Sequence, residues 1–116
     1  MTPTELQKKV DKSGPWFHSI DFGDGVVAAG SIDPEVLQQS FEWLCLPELK
    51  GKTLLDVGAW NGYYTFETEK REAEVTALDS YCWNGPGTGN KKGFDLAHQH
   101  FNSKAKTIEL EVVDIC

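Results

Sequence analysis

Apolar and polar positions change period several times along the 116-residue chain, and each change marks an expected element. Thr2-Pro3-Thr4-Glu5 has the form of a capping box with proline at the first helical position. Leu6 and Val10 then share one face of a helix over residues 3–12, which Ser13-Gly14-Pro15 ends. Residues 16–22 alternate large apolar and polar side chains, Gly23-Asp24-Gly25 turns, and residues 26–29 return, which predicts a β-hairpin. Asp33 caps and Pro34 opens a second helix. Leu37, Phe41 and Leu44 sit at i, i+4 and i+7, with Val36 and Trp43 widening the stripe. Residues 46–52 form a loop into the next segment.

The period then shortens. Leu54, Leu55 and Val57 make a short apolar run that reads as a buried strand, with Asp56 inside it. Gly58, Asn61 and Gly62 follow, and residues 61–72 have helical character, with Asn61 as the expected cap and Glu67 four residues before Arg71. A strand, a glycine turn and a helix start in succession let backbone approach a ligand closely and aim the first-turn amides at it. Residues 74–79 form a second strand ending in Asp79, which follows Asp56 by one βαβ step of about 20 residues or slightly more. An acid there can accept both hydroxyls of a ribose; otherwise it is a turn or cap residue. Residues 80–92 are rich in turn formers and carry Tyr81 and Trp83, which either stack on an adenine or pack on the following helix. Phe94, Ala97, His98 and Phe101 place an amphipathic helix over residues 92–103, and residues 107–113 alternate as a third strand.

Composition narrows the chemistry. Eighteen acidic residues against eleven basic ones give a net charge of −7, which argues against a broad phosphate-binding footprint on this chain. Cys45, Cys82 and Cys116 are widely spaced, with no zinc-ligand pattern, as expected of reduced thiols in a cytoplasmic protein. His98 and His100 point to different faces of their helix and do not form a metal pair. No apolar run reaches the length of a membrane span. The glycines after Trp83 lack the G-K-[ST] of a phosphate loop.

Leu54-Leu55-Asp56-Val57-Gly58-Ala59-Trp60-Asn61-Gly62 resembles the first motif of class I S-adenosylmethionine-dependent methyltransferases. Asp56, Gly58 and Gly62 match that motif, and Trp60 stands where its middle glycine belongs. A dinucleotide fingerprint, G-x-G-x-x-G, fits less well, since only Gly58 of its three glycines is present. Gly14-Pro15-Trp16-Phe17-His18-Ser19-Ile20 with Gly23-Asp24-Gly25 is similar to the leader of a subset that includes wobble-uridine tRNA-modifying enzymes. In that subset the leader covers the cofactor pocket, so His18 either faces ligand or packs within the hairpin.

The resemblance implies an α/β fold, a Rossmann-like βαβαβ half of a doubly wound parallel sheet, preceded by a helix, a β-hairpin and a helix. Residues 1–50 would be the leader and residues 51–116 the cofactor-binding part. It implies S-adenosylmethionine as cofactor, with Gly58 and Gly62 beside the methionine portion and Asp56 near its amino group. Asp79 and Ser80 would lie at the ribose, and Asp114 and Ile115 at the adenine. The methyl acceptor, a small metabolite or a tRNA, is left open, and no catalytic residue is named. The chain reads as the N-terminal portion of such an enzyme. The strand 53–57 would then lie at a sheet edge and pair with another chain. The other readings are a non-catalytic interaction domain of the same fold and an NAD-binding oxidoreductase half.

Overall fold

The computed structural model describes residues 1–84 and 90–110, Tyr81 by its backbone alone. The chain folds as a mixed α/β structure. In chain order the elements are α1 (Pro3–Lys12), β1 (Ile20–Gly23), β2 (Val26–Ala28), α2 (Pro34–Trp43), β3 (Thr53–Val57), α3 (Tyr63–Lys70), β4 (Glu74–Asp79), α4 (Tyr81–Asn84), α5 (Lys92–His100) and β5 (Lys106–Glu109). β3, β4 and β5 form a parallel sheet in that order, while β1 and β2 pair as a separate antiparallel hairpin.

Local chemistry explains most of the boundaries. The Thr2 hydroxyl accepts the Glu5 amide at 3.1 Å and Pro3 opens α1, whose Leu6 and Val10 are buried. The hairpin reverses through Gly23, Asp24 and Gly25, all with positive φ. Asp33 precedes Pro34 at the start of α2 but makes no side-chain cap bond there. The stripe on α2 is narrower than its spacing predicts: Leu37 and Phe41 are buried, whereas Val36, Leu44 and Trp43 are exposed, Trp43 by 72%. Leu44, at the i+7 position, is the C-cap that follows the last residue of α2, and it stays exposed.

Leader and sheet share one core. Trp16, Ile20, Phe22 and Val26 from the leader cluster with Phe66 of α3, Ala77 of β4, Trp83 of α4, and Phe94 and Ala97 of α5. That core lies on one face of the sheet, with Ala77, Leu54 and Asp56. The opposite face carries Leu55, Val57 and Ile108, which stay 51%, 45% and 44% exposed. Among the described residues on that face, Leu78, in the central strand, is the one large apolar side chain that is buried. Among the described residues, no helix is long and apolar enough to cross a membrane.

Candidate functional site

The glycine turn leaves the end of β3 and meets the end of β4. Gly58 and Ala59 both donate their amides to the Leu78 carbonyl, at 2.8 and 3.0 Å. The next amide, of Trp60, donates to Asp79 Oδ2 at 2.9 Å. Asp79 Oδ1 accepts the amides of Ser80 and Cys82 at 2.7 and 3.1 Å. The two positions singled out by spacing, the turn and the strand-end acid, are therefore in direct contact. Asp79 is only 3% exposed, and its carboxylate already carries three N–H bonds. Ser80 shapes this turn through its amide.

The two motif glycines serve different ends. Gly58 has φ +77, and a Cβ built on it meets nothing within 4 Å, so its outer side is an open cradle at the strand end. Gly62 has φ +94 and caps α3, but a Cβ there would lie 2.6 Å from Phe66 and 2.8 Å from Phe94. Gly62 is thus a packing glycine between α3 and α5 on the side where a Cβ would stand.

Trp60 takes the left-handed backbone conformation, φ 48, that a glycine would adopt freely. Its ring leaves the turn and stacks on Phe17 of the leader, centroids 4.1 Å apart and planes parallel. Its carbonyl accepts Trp83 Nε1–H at 2.6 Å. Trp83 is buried against Phe94. Of its two sequence readings, packing holds, and it is not available to stack on an adenine. The residues expected to form one long loop begin instead with α4, where Asn84 and Trp83 donate to the Ser80 carbonyl.

Asn61 does not cap α3, as its position suggested; Gly62 does, and the helix begins at Tyr63. The Asn61 Oδ1 reaches back to the leader and accepts the amides of Phe17 and His18 at 2.7 and 3.0 Å. Its Nδ2 is buried without a hydrogen-bond partner among the described atoms. His18 is buried too, and its Nδ1 accepts the Tyr63 amide at 3.3 Å, at the first residue of α3. Its ring packs among Phe17, Tyr63 and Tyr64. His18 is therefore a structural residue of the leader, and burial holds its pKa down at about 4.

Asp56 lies under the start of the same helix. Its Oδ2 accepts the Thr65 hydroxyl at 2.7 Å, and the Thr65 amide also bonds this carboxylate. Burial pushes its pKa above the usual carboxylate value, with Asp79 adding to the rise and the Thr65 bonds opposing it. In the first turn of α3, the Tyr63 and Thr65 amides are thus met from within the chain, by His18 and Asp56. Asp114 and Ile115 lie outside the described residues, as do the tip of the 80–92 segment and the Tyr81 side chain. Among the described residues, no group of His, Cys, Asp and Glu gathers as metal ligands. No protein-family model matches the chain, and no curated protein matches it either.

His18 makes stability pH-dependent with a definite sign. Its pKa is lower folded, about 4, than the ordinary 6.5, so the unfolded chain binds the proton more readily. The contribution is complete above 6.5 and is lost as pH falls from there through about 4. At about pH 5 the loss reaches about 2 kcal/mol, from ~1.4 kcal/mol per unit. Asp56, with its pKa raised by burial, acts in the opposite direction, its contribution being lost as pH rises from the ordinary carboxylate value through the raised one. Urea midpoints taken across this range should fall with pH. In His18→Asn, whose Oδ1 can replace the Nδ1 acceptor, the slope should flatten.

Proposed function

We propose that the chain is the cofactor-binding part of an S-adenosylmethionine-dependent methyltransferase, with β3 to β5 and their helices as a Rossmann-like half of a doubly wound sheet. The observation that carries this reading is the Trp60 amide on Asp79, 2.9 Å, which joins the glycine turn of one parallel strand to the acid ending the next. Ligands of open α/β sheets bind beyond the carboxyl ends of the strands, and this contact lies there, beside the open side of Gly58. Gly58 would flank the methionine portion, Ser80 and the remaining acceptor capacity of Asp79 the ribose, and Asp114 and Ile115 the adenine. When bound, the cofactor supplies an electrophilic methyl on a sulfonium. The chain's residues then serve to hold and orient it, and to complement its positive charge with Asp56 and Asp79. An NAD reading is weaker for a physical reason. A pyrophosphate needs the first-turn amides of α3, and Asp56 already places a carboxylate against them.

A second reading, an interaction domain that keeps the fold without the ligand, is favoured by the 3% exposure of Asp79 and its three N–H bonds. Titrating the chain with S-adenosylhomocysteine, by calorimetry and by amide chemical shifts, separates the two. Saturable binding with shifts centred on Gly58, Trp60, Asp79 and Ser80 is expected, and NADH should compete poorly. A folded chain whose amides do not move at millimolar ligand would overturn the methyltransferase reading and leave the interaction domain.

A further inference from the structure

We propose that the cavity between the β1–β2 hairpin, α2 and the outer face of α3 is a binding site for a small organic cation, an amine carried on an apolar or aromatic body. The cavity holds about 340 Å3, the size of a small-molecule site. Its α3 wall is made by Tyr63, Glu67, Lys70 and Arg71, which share one face of that helix. Thr65, on the opposite face, bonds Asp56 of β3. The cavity therefore lies on the side of α3 away from the sheet, and none of residues 58–62 lines it.

Three aromatic rings wall it: Phe41 from α2, Tyr63 from α3 and Phe101 after α5. Two of these rings already take cations of the chain itself. Arg71 lies 4.4 Å from the Phe41 centroid and Lys70 lies 5.7 Å from that of Phe101. Both cations are also spent on Glu67, Lys70 at 3.1 Å and Arg71 at 3.4 Å. What remains is acceptor capacity. Among the described residues, Asp21 and Glu42 have no ion pair, and the side chains of Gln38 and Glu42 and the Tyr63 hydroxyl make no hydrogen bond. Gln38 and Glu42 stand one turn apart on α2 and line the cavity with Tyr63. Burial raises the pKa of the Tyr63 hydroxyl, with Glu67, Tyr64 and Glu42 adding to the rise and Arg71 opposing it, so the hydroxyl stays protonated at neutral pH.

The lining thus sets the carboxylates of Asp21, Glu42 and Glu67 against two cations that are both held by one of them. A positive charge on the ligand completes this set, and an anion does not. The ammonium donates to Glu42, to Gln38 Oε1 and to the Tyr63 hydroxyl oxygen, while the apolar body lies against Phe41, Tyr63 and Ile20. Glu42 is exposed, so its ion pair with the ligand contributes about fivefold at most.

Amide chemical shifts of the whole chain, titrated separately with phenethylammonium, phenethyl alcohol and hydrocinnamate, test the charge preference on three bodies of similar shape. Phenethylammonium should saturate the chain with shifts centred on Gln38, Glu42, Tyr63 and Glu67, and should bind about threefold or more tighter than the alcohol, with the carboxylate weakest. The Gly58 and Trp60 amides should not move, which keeps this result separate from that of the S-adenosylhomocysteine titration. Added salt should weaken the cation alone. Glu42→Gln should weaken the cation about three- to fivefold and leave the alcohol within about twofold. Circular dichroism checks that the variant folds. Equal binding of the three probes overturns the proposal and leaves an apolar notch without charge preference. So do tighter binding of the carboxylate, the absence of saturable shifts, shifts centred elsewhere, or a folded Glu42→Gln chain that loses cation and alcohol alike.

Discussion

Gly62→Ala is expected to cost the fold about 2–5 kcal/mol, from two additive causes. The residue caps α3 at φ +94, where any side chain on an L-residue adds about 1–2 kcal/mol of backbone strain. The new methyl would also lie 2.6 Å from Phe66 and 2.8 Å from Phe94. Neither ring can yield easily. Both are buried, and they stack on each other with centroids 5.4 Å apart. Overpacking of that kind adds about 1–3 kcal/mol. A domain of this size has about 5–15 kcal/mol in total, so the variant approaches the unfolding threshold at room temperature. Gly58→Ala is the internal control. It has nearly the same dihedral, φ +77, but nothing within 4 Å of the added methyl. It should lose only the strain, about 1–2 kcal/mol. Equal losses in urea denaturation would show that backbone conformation alone explains both glycines and that the α3–α5 contact is compliant.

That contrast also marks how far the sequence could be read. The spacing of Gly58 and Gly62 located the turn, and capping residues such as Thr2 with Pro3 located the start of α1, because those signals are local. The spacing could not tell a glycine needed for its dihedral from one needed for close packing. That distinction depends on Phe94, thirty-odd residues away in the chain and adjacent in space. Asn61 shows the same limit. Its place before a helix suggested a cap, yet its acceptor serves Phe17 and His18 of the leader. A side chain with a distant pair of donors follows them rather than the nearest helix end. Trp60 stands where the resembling motif has its middle glycine. Its ring in fact stacks outward on Phe17, while its peptide group is held by Asp79 and Trp83. The only trace of this in the sequence was the aromatic leader itself, which carries no pairing information. On α2, the failure was of the opposite kind. The i, i+4, i+7 spacing was correct for a helix, but the helix ends at Trp43 and leaves Leu44 exposed at its C-cap.

Asp79 carries the second large effect, and its variants divide its structural role from a ligand-binding one. Asp79→Ala removes the acceptor of three amides at a site 3% exposed and should cost about 3 kcal/mol, since each buried group left unmet costs about 1–3 kcal/mol and the three are coupled. Asp79→Asn is more selective. Its carbonyl can stay with Ser80 and Cys82, in the position of Oδ1, which leaves the amide Nδ2 facing the Trp60 N–H, donor against donor. The link between the glycine turn and β4 is then cut, while the short turn into α4 is kept. Hydrogen exchange should show this directly, with the Trp60 amide losing protection and those of Ser80 and Cys82 retaining it. Trp83→Phe attacks the same peptide unit from its other side by removing the 2.6 Å bond to the Trp60 carbonyl. Combined with Asp79→Asn, its stability loss should be less than additive, because a peptide freed on one side has less to lose on the other. If Asp79→Asn instead costs under about 0.5 kcal/mol, the size of an ordinary surface change, the turn is held without the carboxylate. Its negative charge would then have no structural use and would be available to a ribose. A large loss means that the acid builds the turn first, and that any ribose must share the acceptor capacity its three amides leave.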